Sequence, residues 1–222
     1  MISVPQTSTL LGLDVHKLTI SAAVLTPGSD VPAVDRISSD PEAVRRLIGR
    51  FEDPKSLVAC YEAGPTGYEL ARQLVTMGVR CEVIAPSLIP VAPGDRVKTD
   101  KRDARRLALL LRGGQLVAVR VPDVTEEAVR DLCRARADMV IDRTRARHRL
   151  GKFLLRHGRV WRDGDNWTMK HQAWIGAQQF GQPALDVTLS HYRATLTARE
   201  AAVDAIDAEL AQWFDRAPFG DP

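Results

Sequence analysis

Cysteine is scarce in this sequence: the 222 residues hold three, Cys60, Cys81 and Cys133. Their spacing suits no zinc site and their odd count suits no closed disulfide framework, which leaves buried free thiols as the expectation. Long hydrophobic runs are missing as well. No apolar stretch approaches the eighteen or so residues of a membrane span, and the opening Met1-Ile2-Ser3-Val4-Pro5 has neither the basic start nor the cleavage site of a secretory leader. A cytoplasmic protein with no membrane partner is expected. Glycine-rich phosphate loops are also lacking: nothing after Gly12 supplies one, and Gly113-Gly114 follows an apolar helical run and reads as its stop.

At 45% hydrophobic, the chain can bury one sizeable core and a second, smaller one. Its net charge of +3 hides an asymmetry. Between Arg96 and Arg159 there are 18 Lys and Arg against 8 Asp and Glu, whereas the remainder carries 13 against 20. A basic excess this concentrated favours a polyanion, nucleic acid above all, over an innocently solvated helix surface.

The first forty residues read as an antiparallel meander. Leu10 to Val15 and Leu18 to Leu25 are strands, and Pro27-Gly28-Ser29-Asp30 turns the chain into an edge strand over Val31 to Ser38. Asp40 caps a helix whose apolar stripe is Ala43, Val44, Leu47 and Ile48. Ser56 to Tyr61 is apolar enough for a strand covered on both faces, and Glu62 stands at its exit. A helix with Leu70, Leu74 and Val75 follows, stopped by Gly78, and then a strand over Val79 to Ile84. A meander followed by strand, helix, strand and helix predicts a mixed α/β domain over residues 1–122. Residues 123–222 read as all helical. Glu126 to His157 forms a long helix with Leu132, Cys133, Met139, Val140, Ala146, Leu150, Phe153 and Leu154 on one stripe. A second, from Pro183, presents Leu185, Leu189, Tyr192, Leu196, Val203, Ile206, Leu210 and Trp213 as a coiled-coil seam. Between them, Gly158 to Gly181 interleaves Trp161, Trp167 and Trp174 with basic residues; these aromatics either stack on bases or anchor a loop to a small core.

Four acids stand out by position. Asp14 and Glu62 lie at strand ends, where open sheets place their chemistry, and Asp100 and Asp103 share one face at the start of a helix continuing through Leu111. Carboxylates at a helix start often merely cap it. Four acids brought to one sheet edge would repel and raise one another's pKa unless cations neutralise them. Hard oxygen ligands select Mg²⁺, with Mn²⁺ as the alternative. Two such ions about 4 Å apart would activate the attacking oxygen and stabilise the leaving one in phosphodiester displacement.

Three blocks carry a family resemblance: Gly12-Leu13-Asp14-Val15-His16-Lys17; Tyr61-Glu62-Ala63-Gly64-Pro65-Thr66-Gly67-Tyr68; and Gly94 to Ala104, containing Lys98-Thr99-Asp100-Lys101-Arg102-Asp103-Ala104. In order and spacing they resemble the signature blocks of the DEDD-type insertion-sequence transposases, relatives of the Piv DNA invertases. The likeness continues through Arg145 to Gly158. It implies an RNase H-like (RuvC-like) catalytic domain in which Asp14, Glu62, Asp100 and Asp103 bind Mg²⁺. It also implies DNA as substrate, a helical segment for assembly, and in RNA-guided members a structured guide RNA held in part by that segment. Family members continue into a further domain that supplies a nucleophilic serine. Ser87 and Ser190 stand in the wrong context for that role, so the 222 residues read as the N-terminal part of such a recombinase.

The nucleic-acid contacts expected on this reading are Lys98, Lys101, Arg102, Arg105 and Arg106 beside the acids, and Arg143, Arg145, Arg147, Arg149 and Lys152 on the long helix. A homo-oligomer, dimeric or higher, is expected from the second helix, whose full apolar face exceeds what one partner covers. The competing reading is a non-catalytic nucleic-acid-binding and oligomerising module, which needs only the basic band and the seam. Actin-like ATPases and sugar kinases share the strand-end aspartate, but their phosphate loops are missing here.

Overall fold

The computed structural model describes residues 2–90 and 99–216. Its contacts divide the chain into two compact units, residues 1–121 and 122–222. In the first, strands β1 (Thr9–Val15), β2 (Thr19–Leu25) and β3 (Ala33–Ser38) form the antiparallel meander, and β4 (Leu57–Glu62) and β5 (Arg80–Ile84) add in parallel on the other side of β1. A two-residue strand, β6 (Ala118–Val119), pairs antiparallel with β5 and closes the order β3-β2-β1-β4-β5-β6. It is too short to leave any alternation in the sequence.

Helices cover both faces of this sheet, and the result is the RNase H-like mixed architecture. Residues alternate across a strand. Leu11, Leu13, Ala59 and Tyr61 therefore join the core under α1 (Pro41–Ile48) and α2 (Glu69–Thr76), while Leu10, Val58 and Cys60 join the core under α3 (Asp100–Arg112). The α1 stripe is buried at Ala43, Val44, Leu47 and Ile48, with Asp40 accepting from Ala43 N–H as N-cap. Helix α3 buries Ala104, Leu107, Ala108 and Leu111. Gly12 lets it approach closely, since a Cβ there would lie 2.3 Å from the Ala104 carbonyl oxygen.

The second unit is built on two long helices, α4 (Val124–Arg156) and α6 (Pro183–Arg216), which pack against each other within one chain. They run antiparallel, since Arg136 pairs with Asp207 and Arg147 with Glu200. A capping box between Asp123 and Glu126 fixes the start of α4. Leu189, Leu196, Val203, Ile206 and Leu210 are buried, whereas Trp213 at the end of the stripe is 41% exposed. On α4, Ala146, Leu150, Phe153 and Leu154 are buried and Leu132, Met139 and Val140 half-buried.

Between the long helices a third helix, α5 (Met169–Gly176), lies in the segment whose polar composition gave no helical period; Thr168 caps it and only His171 and Ile175 are buried. His171 stacks on Trp174 at 5.7 Å and accepts from the Trp167 backbone N–H at 2.8 Å. Trp167 and Trp174 thus pack on a small core with Phe153, Phe180 and Tyr192, the second of the two roles left open for them, while Trp161 lies against Trp174 at 5.6 Å. The cysteines differ among themselves. Cys60 is buried and Cys81 half-buried, with thiols pushed up by burial, to about 12 for Cys81. Cys133 on α4 is exposed, contrary to the buried thiol expected.

Candidate metal centre and basic surfaces

The sheet register places three chemically active positions in one lateral row. Asp14 pairs with Ser21 of β2, and Ser21 with Arg36 of β3. Leu13 pairs with Tyr61 in the parallel ladder, so Asp14 and Glu62 are the next residues on adjoining strands. Each lies two residues beyond a position packed under α3, Gly12 and Cys60 respectively, which puts both on the α3 face of the sheet. The close seat of α3 on Gly12 then brings the first turn of that helix over the end of β1.

Thr99 is the N-cap of α3, its Oγ1 accepting from Arg102 N–H. The capping role that Asp100 and Asp103 could have filled is therefore taken. Asp100 turns toward the sheet edge, where its Oδ1 is 3.5 Å from His16 Nε2 and its Oδ2 3.9 Å from Arg36 Nη2. The same His16 nitrogen is 3.0 Å from Asp14 Oδ2. Burial pushes the Asp14 carboxyl above its ordinary pKa; His16 opposes that, and the nearby negative charges of Asp100 and Asp103 add to it. Donor atoms of Asp14, His16 and Asp100 all lie within 4.8 Å of one another, a spacing that fits a bound cation.

Of the four acids singled out from sequence, Asp14 and Asp100 thus meet and Asp103 lies close enough to act on Asp14 electrostatically. Glu62 is exposed at the adjoining strand end, and its carboxylate is not among the converging donor atoms. His16 and Arg36 had not been singled out. His16 stands inside the first signature block and could have been flagged there; Arg36 reaches the site only through the register of β3.

The basic residues sort by face. Lys101, Arg102 and Arg105 are exposed on α3, while Arg106 is half-buried and its guanidinium meets the Pro90 carbonyl. Lys98 lies outside the described residues. On α4 the expected run divides. Arg147 donates to Glu200 Oε1 at 2.8 Å with its guanidinium 5.1 Å from the Trp167 ring centre, and Arg143 is half-buried on the same side. Arg145, Arg149 and Lys152 are exposed. Residues two apart on a helix point about 200° away from each other, so alternate arginines cannot share one surface.

Comparison with known proteins agrees with this architecture. The family model of the DEDD transposases of IS110 type matches residues 11–158, the span from β1 to the end of α4. The chain belongs to the DEDD transposase family. It is 42% identical over 194 residues to y4qE of Sinorhizobium fredii, a candidate transposase, covering 85% of this chain and 49% of that protein. It is 34% identical over 213 residues to the transposase for insertion sequence element IS1533 of Leptospira borgpetersenii, covering 94% of this chain and 62% of the relative. The chain thus spans about half to three-fifths of the length of these DEDD relatives. No helix among the described residues is long and apolar enough to cross a membrane.

Proposed function

We propose that the chain is the metal-dependent catalytic and nucleic-acid-holding part of an insertion-sequence transposase acting on DNA. In this reading Asp14, Glu62, Asp100 and Asp103 bind Mg²⁺ or Mn²⁺. The observation that carries it is the approach of Asp100 to Asp14 at the end of β1, two like charges held together by surrounding tertiary structure although Thr99 already caps the helix. Bound there, a divalent ion supplies Lewis-acid activation of an attacking oxygen and stabilisation of a leaving one. The residues hold the reacting phosphodiester beside the sheet edge. Lys101, Arg102 and Arg105, with Lys98 before them, bind flanking phosphates from the start of α3. Arg36 offers a further positive charge across the row.

Residues 1–122 then form the catalytic domain, and 123–222 bind nucleic acid, a structured guide RNA included, and assemble homo-oligomers. Mg²⁺-dependent cleavage of branched DNA by the full chain tests the reading. Asp14→Asn and Asp100→Asn are expected to reduce the cleavage rate on the order of a thousandfold while leaving DNA binding in place. An unaltered chain that binds the DNA but leaves it intact with Mg²⁺ or Mn²⁺ would favour the non-catalytic binding module.

For the helical unit, the faces of α4 make separable predictions. Changing Arg145, Arg149 and Lys152 together to Ala is expected to reduce the log–log salt slope of nucleic-acid binding by roughly 2–3. Changing Arg143 and Arg147 should lower the melting temperature of this unit and alter the slope much less. A slope unmoved by the first triple variant would take the outer face of α4 out of the interface.

A further inference from the structure

The four-acid metal set proposed above leaves out His16, although its ring nitrogen is one of the three donor atoms that converge. His16 lies in the turn between β1 and β2, where its backbone N–H donates to the Thr19 carbonyl at 2.9 Å. The side chain is 54% exposed, so water is open to the ring, yet Nε2 sits against two carboxylates from different elements, 3.0 Å from Asp14 Oδ2 and 3.5 Å from Asp100 Oδ1. A single ring nitrogen carries at most one proton, and one N–H serves one acceptor well. Hydrogen bonding to Asp14 therefore explains the shorter approach, and the longer one brings a second carboxylate to the same nitrogen. Ligand atoms about 2.1 Å from an ion and at right angles to each other are about 3 Å apart. The two separations at Nε2 are close to those of neighbouring corners around one cation, and the three donor atoms fit within 4.8 Å.

The geometry points to His16 Nε2 as a ligand of the ion that Asp14 and Asp100 hold, making this a mixed nitrogen and oxygen site that favours a transition-metal dication over Mg²⁺. The inference rests on the metal reading under Proposed function and adds a ligand to it. All-carboxylate sets suit Mg²⁺, whereas imidazole gains its advantage with transition ions. Competition between the two ions at this site is thus set by the residue two positions after the strand-end aspartate. The alternative is that His16 remains a hydrogen-bonding neighbour of Asp14 outside the coordination sphere.

Mn²⁺ is the probe that separates these, because its electron spin couples to a directly bound nitrogen nucleus. The full chain is titrated with Mn²⁺ and with Mg²⁺ by calorimetry, and the Mn²⁺ complex is examined by electron spin-echo spectroscopy. The unaltered chain is expected to display imidazole nitrogen coupling. His16→Gln should lose it, with Mn²⁺ affinity falling about tenfold and Mg²⁺ affinity changing less than about threefold, while circular dichroism confirms that the variant is folded. Mn²⁺ bound without nitrogen coupling, or coupling that survives in His16→Gln, would overturn the assignment and leave the carboxylate site standing. No Mn²⁺ binding by the unaltered chain would overturn both.

Discussion

Gly12→Ala is expected to destabilise the first unit by about 3 kcal/mol, at the upper end of the cost of overpacking, and to abolish metal-ion binding in whatever fraction still folds. The added Cβ would lie 2.3 Å from the Ala104 carbonyl oxygen and 2.5 Å from the Ala108 nitrogen. Both are backbone atoms of α3, so no side chain can swing aside, and the helix itself must lift from the sheet. Asp100 and Asp103 travel with it, away from Asp14. Gly28→Ala makes the control: its φ of 78° disfavours alanine, but nothing lies within 4 Å of the new Cβ, so it should cost about 1 kcal/mol and leave the site alone. Urea denaturation and Mn²⁺ titration of both variants measure the two effects. A folded Gly12→Ala chain with unchanged Mn²⁺ affinity would refute the idea that this close approach positions the acids.

Placing aspartate at both Leu196 and Ile206 should unfold the pairing of α4 with α6, at a cost on the order of 4 kcal/mol for each buried, unpaired carboxyl group. The two side chains are only 6% and 7% exposed, and α6 packs along α4 of the same chain. Were the seam closed between subunits, as the homo-oligomer expected from the second helix implies, the same changes would yield monomers with an intact α/β domain. That domain should indeed persist, since its two cores lie wholly within residues 2–121. The helical unit, however, should lose its folded structure along with any assembly it supports. Circular dichroism at 222 nm together with limited proteolysis reads this directly, with large loss of helix and a protected fragment ending near residue 121 as the expected result. Full helicity with only a change of mass in ultracentrifugation would mean that the seam is closed between subunits.

Local chemistry made much of the fold legible. Apolar runs parted by turn residues revealed the meander, Asp40 the start of α1, Gly113 the end of α3, and the 3–4 spacing the two long helices. These signals are carried by residues near one another in the chain, where periodicity and capping act. Among the described strands and α-helices, β6, two residues long, and α5, whose buried face is His171 and Ile175, carried no such signal. The candidate site was partly legible for a different reason. Its acids stand at element ends inside three recognisable blocks, so Asp14, Glu62, Asp100 and Asp103 could be singled out without knowing how far apart they lie.

By itself, then, the sequence determined the types and order of the elements, the basic middle of the chain and, through its signature blocks, the transposase family. Tertiary structure decided what meets what. The register of β1 through β3 put Arg36 in the row of Asp14, and the bare Cα of Gly12 let α3 carry Asp100 to within reach of His16. The partner lying against α4 sorted Arg143 and Arg147 inward from Arg145 and Arg149. A helix turns its residues through every direction at about 100° each, so sequence spacing fixes which side chains share a face. Which face is buried depends on the element packed against it, and the residues of that element lie far along the chain.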